Sequence, residues 1–472
     1  MTFPSAPREH SAFGLAEDDL ALATDLYQLT MAAAYHAEAR ACGEMPRATF
    51  ELWVRRLPPE RNFLVFAGLE QALAALARLA FRPRHLAYLR SLPAFSGVGE
   101  PFWETLAAFR FRGDVRAMAE GTVFFPGETV LSVRGSLLEA QIVETLLLSI
   151  VNFQSMIASK AARVRLAAGD RAQVAEFGAR RAHGPHAAAW AARASYVGGV
   201  DSSSAVLAGF GAGVPVVGTM AHSFVMAFDE EVDAFQRYQE VFPDHTILLV
   251  DTYDTLAGVR KALASGGPFR GIRLDSGDLG GLAREARRLL DEGGRPDATI
   301  FASGDLDEHR IAALLAEGAP IDAFGVGTRL ATSADAPYLN GIYKLVEIEK
   351  DGRRVPTLKT SAGKATYPGP KQVVRGVEGS GDGARFTGDR VIRLGDEGRF
   401  PPASRLLAPV MRGGEPLAPP EPLAAVRERC LVQLRHLPPA IRALAPAPDP
   451  YPVEVDPGLE ELRARQREAV LG

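Results

Sequence analysis

At 472 residues, with a formal net charge of −4 and 47% hydrophobic residues, the chain has room for one large core or two and lacks the basic excess of a nucleic-acid binder. Its two cysteines, Cys42 and Cys430, match no metal-ligand spacing, which excludes a zinc ribbon or a disulfide framework and suits a reducing, cytoplasmic setting. Residues 1–17 mix acids, Pro and Gly and lack the basic start and apolar core of a secretory leader.

The first element is a helix opening at Thr24 or Asp25 and running through Ala33 and Tyr35. On this pattern alone Tyr27 reads as a core-facing aromatic. Ala48 to Val54 alternates with period two and predicts a half-buried strand. Helical periodicity returns over Val65 to Leu79 and near Leu86 to Leu92. Thr122–Phe125 and Thr129–Val133 flank Pro126-Gly127-Glu128, a type II turn in which Gly accepts the positive φ, and predict a hairpin. Ser136 and Glu139 form a capping box at the head of a long helix. Leu137 to Ile157 is the longest apolar stretch, but Glu139, Gln141, Glu144, Asn152 and Gln154 interrupt it, so it reads as a buried helix and not a membrane span.

From Gln173 onward short apolar runs end in Gly or polar residues at regular intervals: Val174–Gly178, Ser195–Gly199, Val214–His222, Thr246–Asp251, Gly271–Asp275, Thr299–Asp305, Ala323–Gly327 and Gly341–Val346. Helical segments fill most gaps. About eight parallel βα units predict an irregular (β/α)8-type barrel, with a doubly wound open sheet as the structural rival. The expected organisation is an α+β domain over 1–135, the barrel over 136–350, and a Pro- and Gly-rich segment over 351–472 that returns to the N-terminal domain, with a helix near Leu423 to Leu434.

Side chains just past the strand ends of such a barrel converge on one site. Here they are Glu176, Phe177, Arg180, Arg181, Ser202, Ser203, Ser204, Thr219, His222, Asp251, Asp254, Arg273, Asp275, Asp278, Asp305, Thr328 and Arg329. Glycines among them (Gly198-Gly199, Gly304, Gly325 and Gly327) let backbone N–H groups approach an anion, arginines supply bidentate donors, and aspartates suit ribose hydroxyls or Mg²⁺. The set reads as a site for a phosphorylated sugar and a small anionic partner. Singly, Asp275 and Asp278 also read as helix caps, and Arg180 and Arg181 as surface charges. No Walker A loop, dinucleotide fingerprint, nucleophile elbow or His-Glu-x-x-His is present.

Seven motifs in order resemble the nicotinate phosphoribosyltransferase family: Thr24–Met31, Glu176–Arg181, Gly198–Ser204, Gly218–His222, Val250–Asp254, Arg273–Asp278 and Gly325–Thr328. The resemblance implies a barrel packed on an α+β domain, a homodimer, transfer of phosphoribose from phosphoribosyl pyrophosphate to nicotinate, coupling to ATP through a phosphorylated histidine, and a requirement for Mg²⁺. It implies that His222 is the phosphorylated residue, with Asp251 orienting it. Phe177 and Tyr27 would sandwich the pyridine, Tyr27 reaching across the dimer. Thr219 and Arg273 would contact nicotinate. Arg180, Asp275, Gly304, Asp305, Gly327 and Thr328 would surround the ribose and phosphates. Ser203 stands where nicotinamide-using relatives carry an aspartate, which favours the acid over the amide. Ala205 departs from the family's usual amide-bearing residue. The competing readings are a nicotinamide or quinolinate enzyme and a catalytically lapsed barrel.

Overall fold

The computed structural model describes residues 17–361 and 366–471; the leader reading of the N-terminus lies almost wholly outside them. The first layer is an antiparallel sheet. Its central strands are Gly341–Lys350, Arg47–Val54, Thr129–Ser136, Asp114–Met118 and Leu407–Arg412, each hydrogen-bonded to the next. All ten side chains from Phe50 to Val54 and Thr129 to Val133 are buried, the outward-alternating ones included, because the three-stranded core of this sheet is covered on both faces.

The second layer is parallel. Its strand order is Ser202–Ser203, Gln173–Glu176, Ala323–Val326, Thr299–Ala302, Gly271–Leu274 and Ile247–Leu249. The first strand of the series pairs with the last, Val174 beside Phe324, and the remaining neighbours advance one way round. That circular order belongs to a barrel and not to a doubly wound sheet, whose order reverses at its switch point.

The count falls short of eight, for identifiable reasons. Ser195–Gly199 is not a strand: it ends the helix Pro185–Val197, whose alanine-rich sequence favours helix over the short apolar pattern. The strand in its place is the two-residue Ser202–Ser203. Val214–His222 contributes one bridge, Val216 to Ser203, and otherwise runs irregularly. Gly341–Val346 leaves the barrel and pairs antiparallel with Arg47–Val54. The barrel is therefore open between Val216 and the edge strand Ile247–Leu249.

The expected hairpin is also corrected. Gly127 does turn the chain at φ +85°, but Val123–Phe124 pairs with Leu64–Val65, while Thr129–Ser136 joins the large sheet. Ser136 and Glu139 make the capping box, their backbone N–H groups each bonded by the other's side chain. After a short first segment, Leu137–Ile142, the helix Glu144–Ala168 joins the layers. Its Leu147, Ile150 and Ile157 lie in the first core, and Ala161, Val164 and Ala168 lie in the barrel core. Among the described residues no helix is long and apolar enough to cross a membrane.

Candidate active site

The site forms where the parallel strands end. Arg273 and Asp275 are two residues apart on the strand Gly271–Leu274 and its continuation, so both side chains leave the same face. The Arg273 guanidinium donates to Asp275 Oδ1 (2.7 Å), Ser303 Oγ (2.8 Å), Thr219 Oγ1 (3.0 Å) and the Met220 carbonyl (3.2 Å). It also sits over the face of Phe177, 5.7 Å from the ring centre. Phe177 in turn stacks on Phe301 at 5.4 Å. Both rings pack over Gly325, where a Cβ would come within 2.8 Å of each; this glycine makes room for the pair.

His222 opens a short helical turn, Ala221 being its N-cap. Its Nδ1 lies 3.1 Å from Thr252 Oγ1, and its Nε2 lies 3.6 Å from Asp275 Oδ2. Among the described residues the ring's polar neighbours are Thr252 and Asp275, and Asp251 makes no direct hydrogen bond to it. Its Oδ2 accepts from the Asp275 N–H and from Ser276 Oγ (both 2.8 Å), which places Asp275 beside the ring. Asp251 Oδ1 is buried without a partner among the described residues. Burial pushes the Asp275 carboxyl upward, but the Ser303 hydrogen bond and the neighbouring Arg273 and His222 outweigh it and hold the group below the usual carboxylate range.

Two backbone turns face this cluster. Gly304 adopts φ +95° and its Cβ position lies 1.9 Å from the Asp275 carbonyl, so only glycine fits; Asp305 follows at φ +46°. Gly327 precedes the turn Thr328–Ala331. Arg181, not Arg180, reaches Thr328 Oγ1 (3.3 Å), and Arg329 pairs with Asp307 across the two turns (2.8 Å). Arg180 is exposed and makes no side-chain hydrogen bond to the cluster among the described residues. Ser203 is fully buried: its hydroxyl donates to Glu176 Oε2 (2.6 Å) and accepts from the Ala205 N–H (2.9 Å). Burial raises the Glu176 carboxyl above its ordinary value, against the hydrogen bonds from Ser203 and Gly178.

Asp278 takes the plainer of its two roles and caps the following helix, accepting from the Gly281 N–H; Asp254 caps its helix in the same way, accepting from the Ala257 N–H. Tyr27 is not the core aromatic its pattern predicts. It is 51% exposed on the helix Leu26–Cys42, near Asp25 and Glu144, and meets none of the strand-end cluster within its own chain. The buried members of its motif include Leu29 and Gln28, the latter hydrogen-bonded to Glu144 and Gln141.

Three family models match the chain: the nicotinate phosphoribosyltransferase N-terminal domain over residues 22–152, the quinolinate phosphoribosyl transferase C-terminal domain over 157–336, and the nicotinate phosphoribosyltransferase C-terminal domain over 400–463. Nicotinate phosphoribosyltransferase pncB2 of Mycobacterium tuberculosis is 46% identical over 456 residues, covering 95% of this chain and 94% of that one. The chain belongs to the nicotinate phosphoribosyltransferase family. The family's Bacillus subtilis nicotinate phosphoribosyltransferase is 45% identical over 77% of this chain and 74% of its own. The crystal structure of human nicotinic acid phosphoribosyltransferase superposes with a TM-score of 0.80 at 31% identity, covering 94% of this chain and 99% of that one.

Within this family member, sequence reading gave no separate role to Ser303, Thr252 or Phe301. Ser303 ties Arg273 to Asp275, Thr252 meets His222, and Phe301 backs Phe177. The one available signal was position: Ser303 directly follows the apolar strand Thr299–Ala302, and Thr252 lies three residues past the strand Ile247–Leu249.

Proposed function

We propose that this chain transfers phosphoribose from phosphoribosyl pyrophosphate to nicotinate, giving nicotinate mononucleotide and pyrophosphate in NAD salvage. The observation that carries this reading is the half-buried Arg273 guanidinium over the Phe177 ring, beside the Gly304 and Gly327 turns. Four of its N–H groups are engaged by described residues, which leaves one to meet a carboxylate. Phe177 supplies a flat apolar surface for the pyridine. The ring nitrogen's electron pair forms the new bond to the anomeric carbon as the carbon–oxygen bond breaks and its pair departs with pyrophosphate. Holding the two reactants in contact lowers the barrier through positioning. Asp275 lends negative charge to the developing oxocarbenium, and the backbone N–H groups of the two turns meet the departing anion.

His222 is proposed to take the γ-phosphoryl group of ATP, a phosphorus–nitrogen bond forming as the bond to ADP breaks. Thr252 and Asp275 orient the ring for this. Among the described residues no group of three or more His, Cys, Asp or Glu side chains gathers to hold a metal. Mg²⁺ bound mainly through substrate phosphates needs only one or two carboxylates. Asp275 and the unpartnered Oδ1 of Asp251 fit that need, and the ion would neutralise pyrophosphate charge. A cytoplasmic homodimer is proposed with it. Phe210 is 92% exposed on the helix Val206–Ala212 beside exposed Val206 and Leu207, an apolar face suited to a second copy, and the exposed Tyr27 is free to serve the partner's site.

The test is product formation from nicotinate, nicotinamide and quinolinate, each with and without ATP and Mg²⁺. Nicotinate is expected to be the preferred acceptor, with ATP stimulating turnover. Preference for either other acid or amide overturns the acceptor assignment; no product under any condition identifies a lapsed barrel. Labelled phosphate from ATP is expected on the wild-type protein and not on His222→Ala, and label on that variant removes His222 from the role. Arg273→Ala is expected to raise KM for nicotinate about tenfold or more, through loss of a charge-assisted hydrogen bond. An unchanged KM excludes the carboxylate contact.

A further inference from the structure

A cavity of about 920 Å³ opens at the end of the barrel opposite the site. The first residues of the parallel strands ring it, among them Gln173, Ser202, Ile247 and Thr299. The C-terminal helices Leu423–His436 and Pro439–Arg442 close its far side. Nothing in the proposed reaction uses this space.

Its chemistry is divided. Inside, Val217, Ile247 and Phe301 present apolar surface, with Leu431 and Leu434 facing them. The wall and rim carry Arg165, Arg171, Arg427, Arg435 and Arg442 against Asp170, Asp201 and Asp322, five cations to three anions in a chain that is net acidic. Arg165 and Arg427 are committed: both bind Asp201 (2.8 and 2.5 Å), and both also donate to backbone carbonyls. Arg435 makes one exposed pair with Glu428 at 3.2 Å. Arg171 and Arg442 have no side-chain hydrogen-bond or ion-pair partner among the described residues. Free cations at the mouth of a half-apolar cavity fit a ligand with an anionic end and a flat apolar end, and the volume suits a nucleotide.

The cavity also touches the back of the active site. Phe301 lines it, and the same ring stacks on Phe177, on which Arg273 sits. We propose that this cavity binds a phosphorylated heterocycle of nucleotide size, its ring against Phe301, Val217 and Ile247 and its phosphate at Arg171 and Arg442, and that occupancy changes nicotinate affinity through the Phe301–Phe177 stack. The binding half stands on the cavity alone; the coupling half rests on the proposed nicotinate reaction.

The probe is adenosine monophosphate, titrated calorimetrically into the wild-type protein, the double variant R171E/R442E and R273A. Binding is expected in wild type and R273A, and at least tenfold weaker in R171E/R442E. Both substituted arginines are at the rim and outside the catalytic cluster, so R171E/R442E is expected to keep its activity in the absence of the probe. Equal binding by R171E/R442E, no binding at millimolar probe, or binding no tighter than that of inorganic phosphate overturns the site. In steady-state assays the probe is expected to shift KM for nicotinate at least twofold in wild type and not in R171E/R442E. Binding without any such shift overturns the coupling. A protein inactive with nicotinate refutes the proposed reaction and leaves the calorimetric result to decide the site.

Discussion

Arg273 and Asp275 show how much a single strand end settles. The guanidinium lies over an aromatic face and is already paired with a carboxylate, so an entering acid meets a cation whose charge is partly spent. The spacing of this pair was readable, because residues two apart on a strand share a face. The partners of His222 were not, since Thr252 comes from the next strand end and only the packing of the two turns brings it within 3.1 Å. Glu176 gives a prediction at this scale. Its folded-state pKa is raised by burial, so the folded chain holds this proton more tightly than the unfolded one. Its contribution is therefore fully present below the unfolded value of about 4.3 and is lost as pH rises through the folded value. Glu176→Gln removes that dependence. Melting temperatures of both proteins from pH 7 down to pH 4 are expected to show wild type gaining on the variant as the pH falls, and a constant difference contradicts the assignment.

Buried charge binds the elements behind the site. The joining helix supplies Lys160 and Arg163, which meet Glu308 at 2.5 and 2.8 Å; Lys160 also meets Asp335 at 2.8 Å, and Arg61 binds the same Asp335. Glu308 begins the helix after the Gly304 turn, and Asp335 follows the Thr328–Ala331 turn, so one cluster anchors both. Glu308→Ala leaves the buried Arg163 without a carboxylate and Lys160 with Asp335 alone, and is expected to cost about 3–5 kcal/mol. The urea midpoint measures this, and a wild-type midpoint in the variant refutes the anchoring role. Strand legibility divided along similar lines. Thr299–Ala302 and Ala323–Val326 stood out as apolar runs bounded by turns. Ser202–Ser203 carries no such pattern, since two polar residues become a strand only because Gln173–Glu176 offers them an edge. Gly341–Lys350 looked like another barrel strand, and its antiparallel partner lies nearly three hundred residues upstream, a separation no local pattern reveals.

At the scale of the whole molecule, Tyr27 faces outward from one chain, and the ring described against Phe177 within that chain is Phe301, the same ring that lines the cavity behind the site. If each copy supplies Tyr27 to the other's site, two inactive variants complement each other. Mixing Tyr27→Ala with Arg273→Ala and allowing subunits to exchange is expected to restore about a quarter of wild-type activity, because half the random dimers carry one intact site. Activity that stays at the level of the separate variants rules out sharing across the interface. The gap in the barrel has a mechanical consequence as well. Six strands are fixed to neighbours by ladders, but the stretch that carries the histidine has backbone pairing only with Ser203, through the Pro215 carbonyl and the Val217 N–H, and beyond that is held by side chains, Arg273 on Thr219 and the Met220 carbonyl and Thr252 on His222. It is a stave held by one rung in an otherwise hooped cask: levering it outward breaks a single backbone bridge where the other staves would break several, and this is the segment proposed to serve two successive phosphate chemistries.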